Sequence, residues 1–404
     1  VPSKISTQDV RRANRALVLR HLRLNHPTSR IDLGAMTGLS PATVTSVVGE
    51  LLAEGTIAET GFRSSAGGRP RTLLEPRPES AYVLGCDISE HELTTALFDF
   101  TLQQLACRSH TFPERQLDLA TATTVIANQV RELIGTLSES GNRVLGLGIG
   151  VPGMVEEPAI PEGDSLIHAE LIGWRDVSLA GLADDLGLPV FVDNGAKTTT
   201  LAEAWCGEAR GIEHAILVLI GDGVGAGVIT NGRLYRGATS SAGEWGHTKI
   251  DLSGRPCRCG SRGCVETVLG ASGVLHAWPG QAEVWKGRAP EGVASLLAAF
   301  DAGDEAAVTV VTELIDHLGL ALSGLVNLYN PQKIILGGWL GQMIALRFLG
   351  DVREATLRHS LPQPGRQAVV ERSLLGSRGP ALGAAILPIE RYIEFGLSHP
   401  LTSS

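Results

Sequence analysis

Between Gly243 and Glu266 the chain reads GEWGHTKIDLSGRPCRCGSRGCVE, which brings His247, Cys257, Cys259 and Cys264 into one glycine-rich stretch. One imidazole and three thiols are the soft donor set that suits tetrahedral zinc and leaves no coordination position for water. The spacing therefore predicts a closed, structural zinc site. Gly254, Pro256, Gly260 and Gly263 permit the tight turns that ligands so near in sequence require. The alternative is a disulfide with two separate thiols; cysteines clustered at short spacing in a reducing compartment are more often ligands. Cys86, Cys107 and Cys206 lie among apolar neighbours and are expected to be core thiols.

A chain of 404 residues is too long for one compact core, so two or three domains are expected. No run approaches the ~18 uninterrupted apolar residues of a membrane span, and no basic-apolar-small leader opens the chain, so a cytoplasmic location without membrane contact is expected. The net charge of −9 is unevenly spread. Residues 1–80 carry 11 lysines and arginines against 7 acids, while the remainder carries 23 against 36. A basic N-terminal module on an acidic body assigns any polyanion to the module alone.

That module reads as three short helices, over about Asp9–Asn25, Arg30–Met36 and Pro41–Glu54. Pro27 separates the first two and Thr37-Gly38 turns into the third. Ile31, Leu33 and Met36 are the apolar set of the second helix. Ser40 is an N-cap with Pro41 at the first helical position, and Val44, Val47, Val48, Leu51 and Leu52 face the core. Ser40, Ala42, Thr43, Thr45 and Ser46 are small and polar where a recognition helix meets DNA. Two extended runs around a Gly/Ser-rich tip follow, as in a winged hairpin. Arg63, Arg69, Pro70 and Arg71 form a cationic string suited to a minor groove; the alternative is a solvated basic loop.

From Ala81 apolar strands alternate with glycine turns and helices, the pattern of an α/β body built from two similar halves with a cleft between them. The expected boundaries are 1–75 for a winged helix-turn-helix, 76–80 for a linker, 81–195 and 196–379 for two α/β lobes, and about 380–404 for a last helix packed back on the first lobe.

GIGVPG, VDNGAK, GDGVGAG, GEWGH, CRCGSRGCVE and ILGGW together resemble the ROK family of repressors, open-reading-frame proteins and sugar kinases across essentially the whole chain. The resemblance implies a duplicated actin-like (RNase H-like) sugar-kinase body behind a winged helix-turn-helix, with zinc on His247, Cys257, Cys259 and Cys264. It implies sugar contacts from Asn194, Glu244, His247 and Glu266, the histidine giving one ring nitrogen to zinc and the other to a sugar hydroxyl. Glu170 stands where the family has a sugar-contacting Asn; it either joins the cleft, where an extra carboxylate would suit an amino sugar, or turns to solvent. The catalytic Asp of the kinases is replaced by Gly195, and their Asp-X-Gly-Gly-Thr loop by Asp87-Ile88-Ser89-Glu90-His91. Asp222 stands in the second glycine loop where the kinases commonly have Thr.

These readings predict a sugar-responsive repressor of carbohydrate genes, a homodimer on double-stranded DNA whose pairing into tetramers is left open. The kinase activity is expected to be lost, and the chain is expected not to be an enzyme. The alternative is an ATP-dependent sugar kinase with an appended DNA-binding module. A DNA-binding zinc finger is disfavoured because the cysteine cluster lies inside the acidic body.

Overall fold

The computed structural model describes residues 6–64, 70–112, 117–137, 143–156 and 165–396. The N-terminal module comprises α1 (Thr7–Leu24), β1 (Thr28–Ser29), α2 (Arg30–Thr37), α3 (Pro41–Ala53), β2 (Ile57–Arg63) and β3 (Arg71–Pro76). Serine caps start all three helices. Ser6 and Asp9 cap each other's backbone amides, as do Ser29 and Asp32, which is why α1 begins ahead of its apolar pattern. Ser40 caps α3, with Pro41 in the first turn. The strands form an antiparallel sheet in the order β1-β3-β2. Val44, Val47, Val48 and Leu51 are buried as expected, with Leu52 half-buried. Of the apolar residues of the second helix, Leu33 is buried, whereas Ile31 is 61% and Met36 37% exposed. Only two turns long, α2 presents one narrow stripe to its neighbours.

After a short 3-10 turn at Pro78–Ser80, whose Pro78 carbonyl accepts from the Phe100 amide, the first lobe begins. It contains β4 (Tyr82–Ile88), β5 (Glu92–Asp99), β6 (Gln104–Thr111), α4 (Leu119–Gly135) and β7 (Val144–Val151). A small antiparallel sheet of β8 (Met154–Glu156), β9 (Leu166–Ala169) and β10 (Trp174–Val177) follows, then α5 (Ala180–Leu186) and β11 (Val190–Asn194). Helix α6 (Gly195–Cys206) crosses to the second lobe. That lobe contains β12 (Ala215–Ile220), β13 (Val224–Thr230), β14 (Arg233–Leu234), α7 (Glu266–Leu269), α8 (Ala271–Ala277), α9 (Ala289–Asp301), α10 (Glu305–Tyr329), β15 (Lys333–Gly337), α11 (Trp339–His359), α12 (Pro362–Gln367) and β16 (Val369–Arg372). Helix α13 (Gly379–Phe395) ends the described chain.

The two large sheets repeat one topology. The first runs β11-β7-β4-β5-β6 and the second β16-β15-β12-β13-β14. In each, the first strand in sequence pairs antiparallel with the next and parallel with the fourth. The doubling expected from the alternation of strands and helices is therefore present in the hydrogen-bond pattern. Helix α10 is long and apolar enough to cross a membrane by length and composition, yet half of that stretch is buried within the second lobe.

Two cysteine expectations fail. Cys86 is buried, but Cys107 and Cys206 are exposed. Cys107 lies on β6, an edge strand whose side chains are almost all exposed, and Cys206 lies at the last turn of α6. Apolar sequence neighbours do not reveal which strand forms the edge.

Helix α13 lies against β4, β7 and α6 at backbone contact. A Cβ at Gly148 would come 1.8 Å from the Ala384 carbonyl oxygen, and one at Gly383 would come 1.9 Å from that of Thr198. Backbone on both sides leaves nothing to yield. Gly148→Ala is therefore expected to destabilise the protein by about 3 kcal/mol or more, or to prevent folding. Gly49→Ala, on the exposed face of α3 with no atom within 4 Å of the new Cβ, should instead add about 0.5–1 kcal/mol. Thermal melts of the two variants check the contrast.

Candidate functional site

The metal-ligand expectation rests on a small backbone frame. Lys249 pairs with Cys264 and Pro256 with Arg262 in isolated antiparallel bridges. The Ile250 amide donates to Gly263 O at 2.9 Å and the Cys257 amide to Ser261 O at 2.8 Å. Gly263 has φ 64°, and a Cβ there would lie 1.4 Å from the Asp251 carbonyl oxygen, so only glycine fits. The frame gathers the four predicted ligands. Their donor atoms all lie within 4.8 Å of one another. Cys259 Sγ and Cys264 Sγ are 3.7 Å apart, and Cys257 Sγ and His247 Nδ1 are 3.6 Å apart. Tetrahedral zinc at ordinary bond lengths sets sulfur–sulfur edges of roughly 3.8 Å, so the donor set fits. All six cysteines are free, which removes the disulfide alternative. The Lys249 ammonium donates to Cys264 Sγ at 2.8 Å and offsets the negative charge of a thiolate set.

The orientation of His247 links this centre to the cleft. Its Nδ1 faces Cys257, which turns Nε2 towards Glu244 Oε2 at 3.9 Å. Glu266, at the head of α7, is 8% exposed. Its Oε2 accepts from the Val224 amide at 3.0 Å and from the Arg258 guanidinium. Burial pushes the Glu244 carboxyl above the usual range, against the pull of His247 and Lys197. Asn194 caps α6: its Oδ1 accepts from the Ala196 amide at 2.8 Å while its Nδ2 donates to Gly153 O at 2.7 Å. The lobes meet at Gly223, where an added Cβ would lie 3.1 Å from Leu171 Cδ1 and from Arg258 Nη2, and 3.5 Å from Glu266 Oε2. Glu170 is 44% exposed and pairs with Arg175 at 3.1 Å.

Three charged groups near the cleft are absent from the expected site residues. Asp193 is buried and meets Arg236 Nη1 at 2.5 Å across 43 positions of chain. Lys197 is buried and donates to the Ser240 carbonyl. Burial, reinforced by Glu90 and Glu92, pushes the Asp87 carboxyl up to about 7. A Cβ at Gly195 would lie 4.0 Å from Asp87 Oδ1, so a carboxyl stands beside Gly195. Arg258, between Cys257 and Cys259, turns from the cysteine cluster to Glu266.

In the N-terminal module, Ser40, Ala42, Thr45 and Ser46 are exposed on the first turns of α3, and Thr43 is half-buried. Ser40 accepts from the Thr43 amide at 3.2 Å, and Thr45 Oγ1 donates back to Pro41 O at 2.8 Å. Pro70 is exposed. Arg63 and Arg71 both reach Asp32, at 3.2 and 3.3 Å. Arg69 lies outside the described residues.

Comparison with known proteins places this geometry. The ROK family model matches residues 83–391. The xylose repressor of Bacillus spizizenii is 28% identical over 386 residues, covering 95% of this chain and 97% of that protein. The crystal structure of a ROK family transcriptional regulator, a homologue of the E. coli MLC protein, superposes with a TM-score of 0.78 at 26% identity over 96% of this chain and 98% of its own. A ROK family glucokinase from Streptomyces griseus, in complex with glucose and AMPPNP, gives a TM-score of 0.63 at 25% identity over 76% of this chain and 99% of its own.

The kinase likeness corrects the expectation that the chain is not an enzyme. That expectation came from a few side chains, Gly195 and Ser89-Glu90-His91 among them, whereas the frame of a sugar kinase persists over the body. A substituted side chain leaves the cleft and its backbone standing. By the match across its body and the likeness along its whole length, the chain belongs to the ROK family.

Proposed function

We propose that this protein is a DNA-binding transcriptional regulator, most simply a repressor of carbohydrate genes, whose body binds a neutral monosaccharide. The observation that carries the reading is one continuous apolar core. It runs from Val18, Val44, Val48 and Leu51 of the N-terminal module to Phe98, Ile389 and Ile393 of the cleft-bearing body. The module is read as a winged helix-turn-helix with α3 in the major groove and the β2–β3 hairpin as wing. The full-length likeness to a xylose repressor and to a ROK transcriptional regulator supports the same assignment.

Zinc on His247, Cys257, Cys259 and Cys264 would hold His247 Nε2 and Glu266 at the cleft without meeting the ligand itself. Asn194, Glu244, His247 and Glu266 are the proposed sugar contacts. A neutral ligand is favoured over an amino sugar because three of the carboxylates are already engaged, Glu266 by Arg258, Glu170 by Arg175 and Asp193 by Arg236, and burial raises the Glu244 carboxyl, which disfavours its charged form. At the first three an ammonium group would have to displace a guanidinium. Glu170, 44% exposed and held by Arg175, is accordingly not among the proposed contacts. Two copies are needed to read two half-sites. A cytoplasmic site of action fits such a role.

The second reading is a sugar kinase carrying this module. It is favoured by the kinase likeness and by Asp87, whose carboxyl stands beside Gly195 and titrates near neutrality, where a general base works best.

Purified protein should contain one zinc per chain by emission spectroscopy. Cys264→Ser should lose the metal together with sugar binding. A DNA duplex selected by the protein from a randomised library should lose affinity about tenfold on Thr43→Ala plus Ser46→Ala. Calorimetry with D-xylose, D-glucose, N-acetylglucosamine and glucosamine should find a neutral sugar tightest, with Glu244→Gln and Asn194→Ala each costing about tenfold or more; tightest binding of glucosamine would sink the neutral-ligand reading.

Incubation with ATP, magnesium and the same sugars separates the two functions. Product whose formation is abolished by Asp87→Asn would favour the kinase. The same variant reports on burial. A carboxyl raised from 3.8 to about 7 holds an extra proton in the folded state, so wild-type stability falls as pH rises through that window. Asp87→Asn should therefore be more stable than wild type above pH 7, by at most about 4 kcal/mol, and the gain should vanish towards pH 4.

A further inference from the structure

The two helices that cross between the lobes also carry the N-terminal module. Helix α6 leaves β11 of the first sheet and leads to β12 of the second. Helix α13 follows β16 of the second sheet and lies on β4 and β7 of the first. Helix α1 reaches the outer ends of both. At the end of α6, the Arg23 guanidinium lies over the rings of Trp205 and Phe100, at 4.9 and 5.1 Å, and donates to Phe100 O at 2.7 Å. Just beyond it, Arg210 donates to the Leu24 carbonyl.

At the end of α13, Arg15 is buried and donates to Tyr392 O at 3.3 Å, to Tyr392 Oη at 3.2 Å and to Glu54 Oε2 at 2.9 Å. Tyr392 Oη also meets Thr56 Oγ1 at 2.8 Å. Glu54 is the C-cap of α3, so the far end of the proposed recognition helix is tied directly to α13. Arg12 lies over the Phe395 ring at 5.1 Å.

The opposite end of α6 is the cleft. Asn194 is its N-cap, and every residue from Ala196 to Glu203 is buried. With the Thr198 carbonyl against Gly383, α6 cannot slide independently of α13. Twelve helical residues span about 18 Å, which is the separation between Asn194 and the stack on Arg23. We propose that α1 is a strap across the two interlobe helices, converting a change in the angle between the lobes into a displacement of α3, with Arg23 and Tyr392 as its positioning residues. The strap rests on the reading of the cleft as a ligand-responsive site. A ligand acts through it by favouring one lobe angle over another.

The test uses the full chain with its metal, the selected DNA duplex, and D-xylose, D-glucose and N-acetylglucosamine as probes. Tyr392→Phe removes one oxygen and keeps the ring; Arg23→Met keeps the stem and removes the stacked charge. Both should bind DNA alone and sugar alone within about threefold of wild type. The ratio of DNA affinities with and without the effective sugar should shrink at least fivefold in each. Folded variants that keep the wild-type ratio overturn the strap. Should no probe alter DNA binding by the wild type, the sugar reading fails by itself, and the strap is decided by a double-mutant cycle. Asn194→Ala and Tyr392→Phe should then combine on DNA affinity with a departure from multiplicativity of at least about threefold, and simple multiplication overturns it.

Discussion

Helix α13 touches the first sheet and α6 backbone to backbone, and nothing larger than hydrogen is tolerated at Gly85, Gly148 and Gly383 where it does so. The lobes, the crossing helix and the N-terminal module all depend on that contact. Its first turns meet α6 behind the cleft; its last turns, through Tyr392 and Ile393, enter the core that also holds Val18, Leu22 and Leu51. The module is thus continuous with the body through packed apolar side chains, and an interior packed at that density moves in blocks. Elements joined in this way respond together or come apart.

The cleft shows how a protein keeps several carboxylates in a half-dry space. Removing an ionised carboxylate from water is costly unless a cation and hydrogen bonds replace the solvent. Glu266 has Arg258 and the Val224 amide, and Asp193 has Arg236. Glu244 and Asp87 lack so close a cation among their described contacts, and burial raises both. The cleft therefore offers oriented acceptors with most of their charge balanced, which suits hydroxyls. The loop that gathers His247 and the three cysteines contributes indirectly. It fixes the backbone from which His247, Arg258 and Glu266 project, so side chains from one tight segment arrive at the cleft already aimed.

On the proposed DNA face the electrostatics are different. The first turns of α3 offer hydroxyls and a methyl group but no charge. The described wing arginines share Asp32, which also caps α2. Exposed ion pairs of this kind are worth about 0–1 kcal/mol, so phosphate groups can take over Arg63 and Arg71 at small cost. Such pairing holds the β2–β3 hairpin to the start of α2.

Local chemistry made much of this protein legible. Serine at a helix start, proline at the first helical position, glycines at turns and four soft donors within 18 positions each act over a few residues. The cap of α3, the repeated α/β lobes and the convergence of His247 with three cysteines could be read from the chain for that reason. What tertiary structure decided lies between segments far apart in sequence. It sets Asp193 against Arg236 and leaves Ile31, Cys107 and Cys206 exposed. The expectation of no enzyme failed for the same cause: a missing side chain is local, whereas a kinase frame is a property of sheet order and lobe packing. By itself the sequence determined the start of α3, the clustering of His247 with three cysteines and the fold class, because capping, turn chemistry and the spacing of these side chains are short-range. Which buried charge meets which partner, and how the N-terminal module is strapped to the cleft, were decided only when α6 and α13 brought distant backbones into contact.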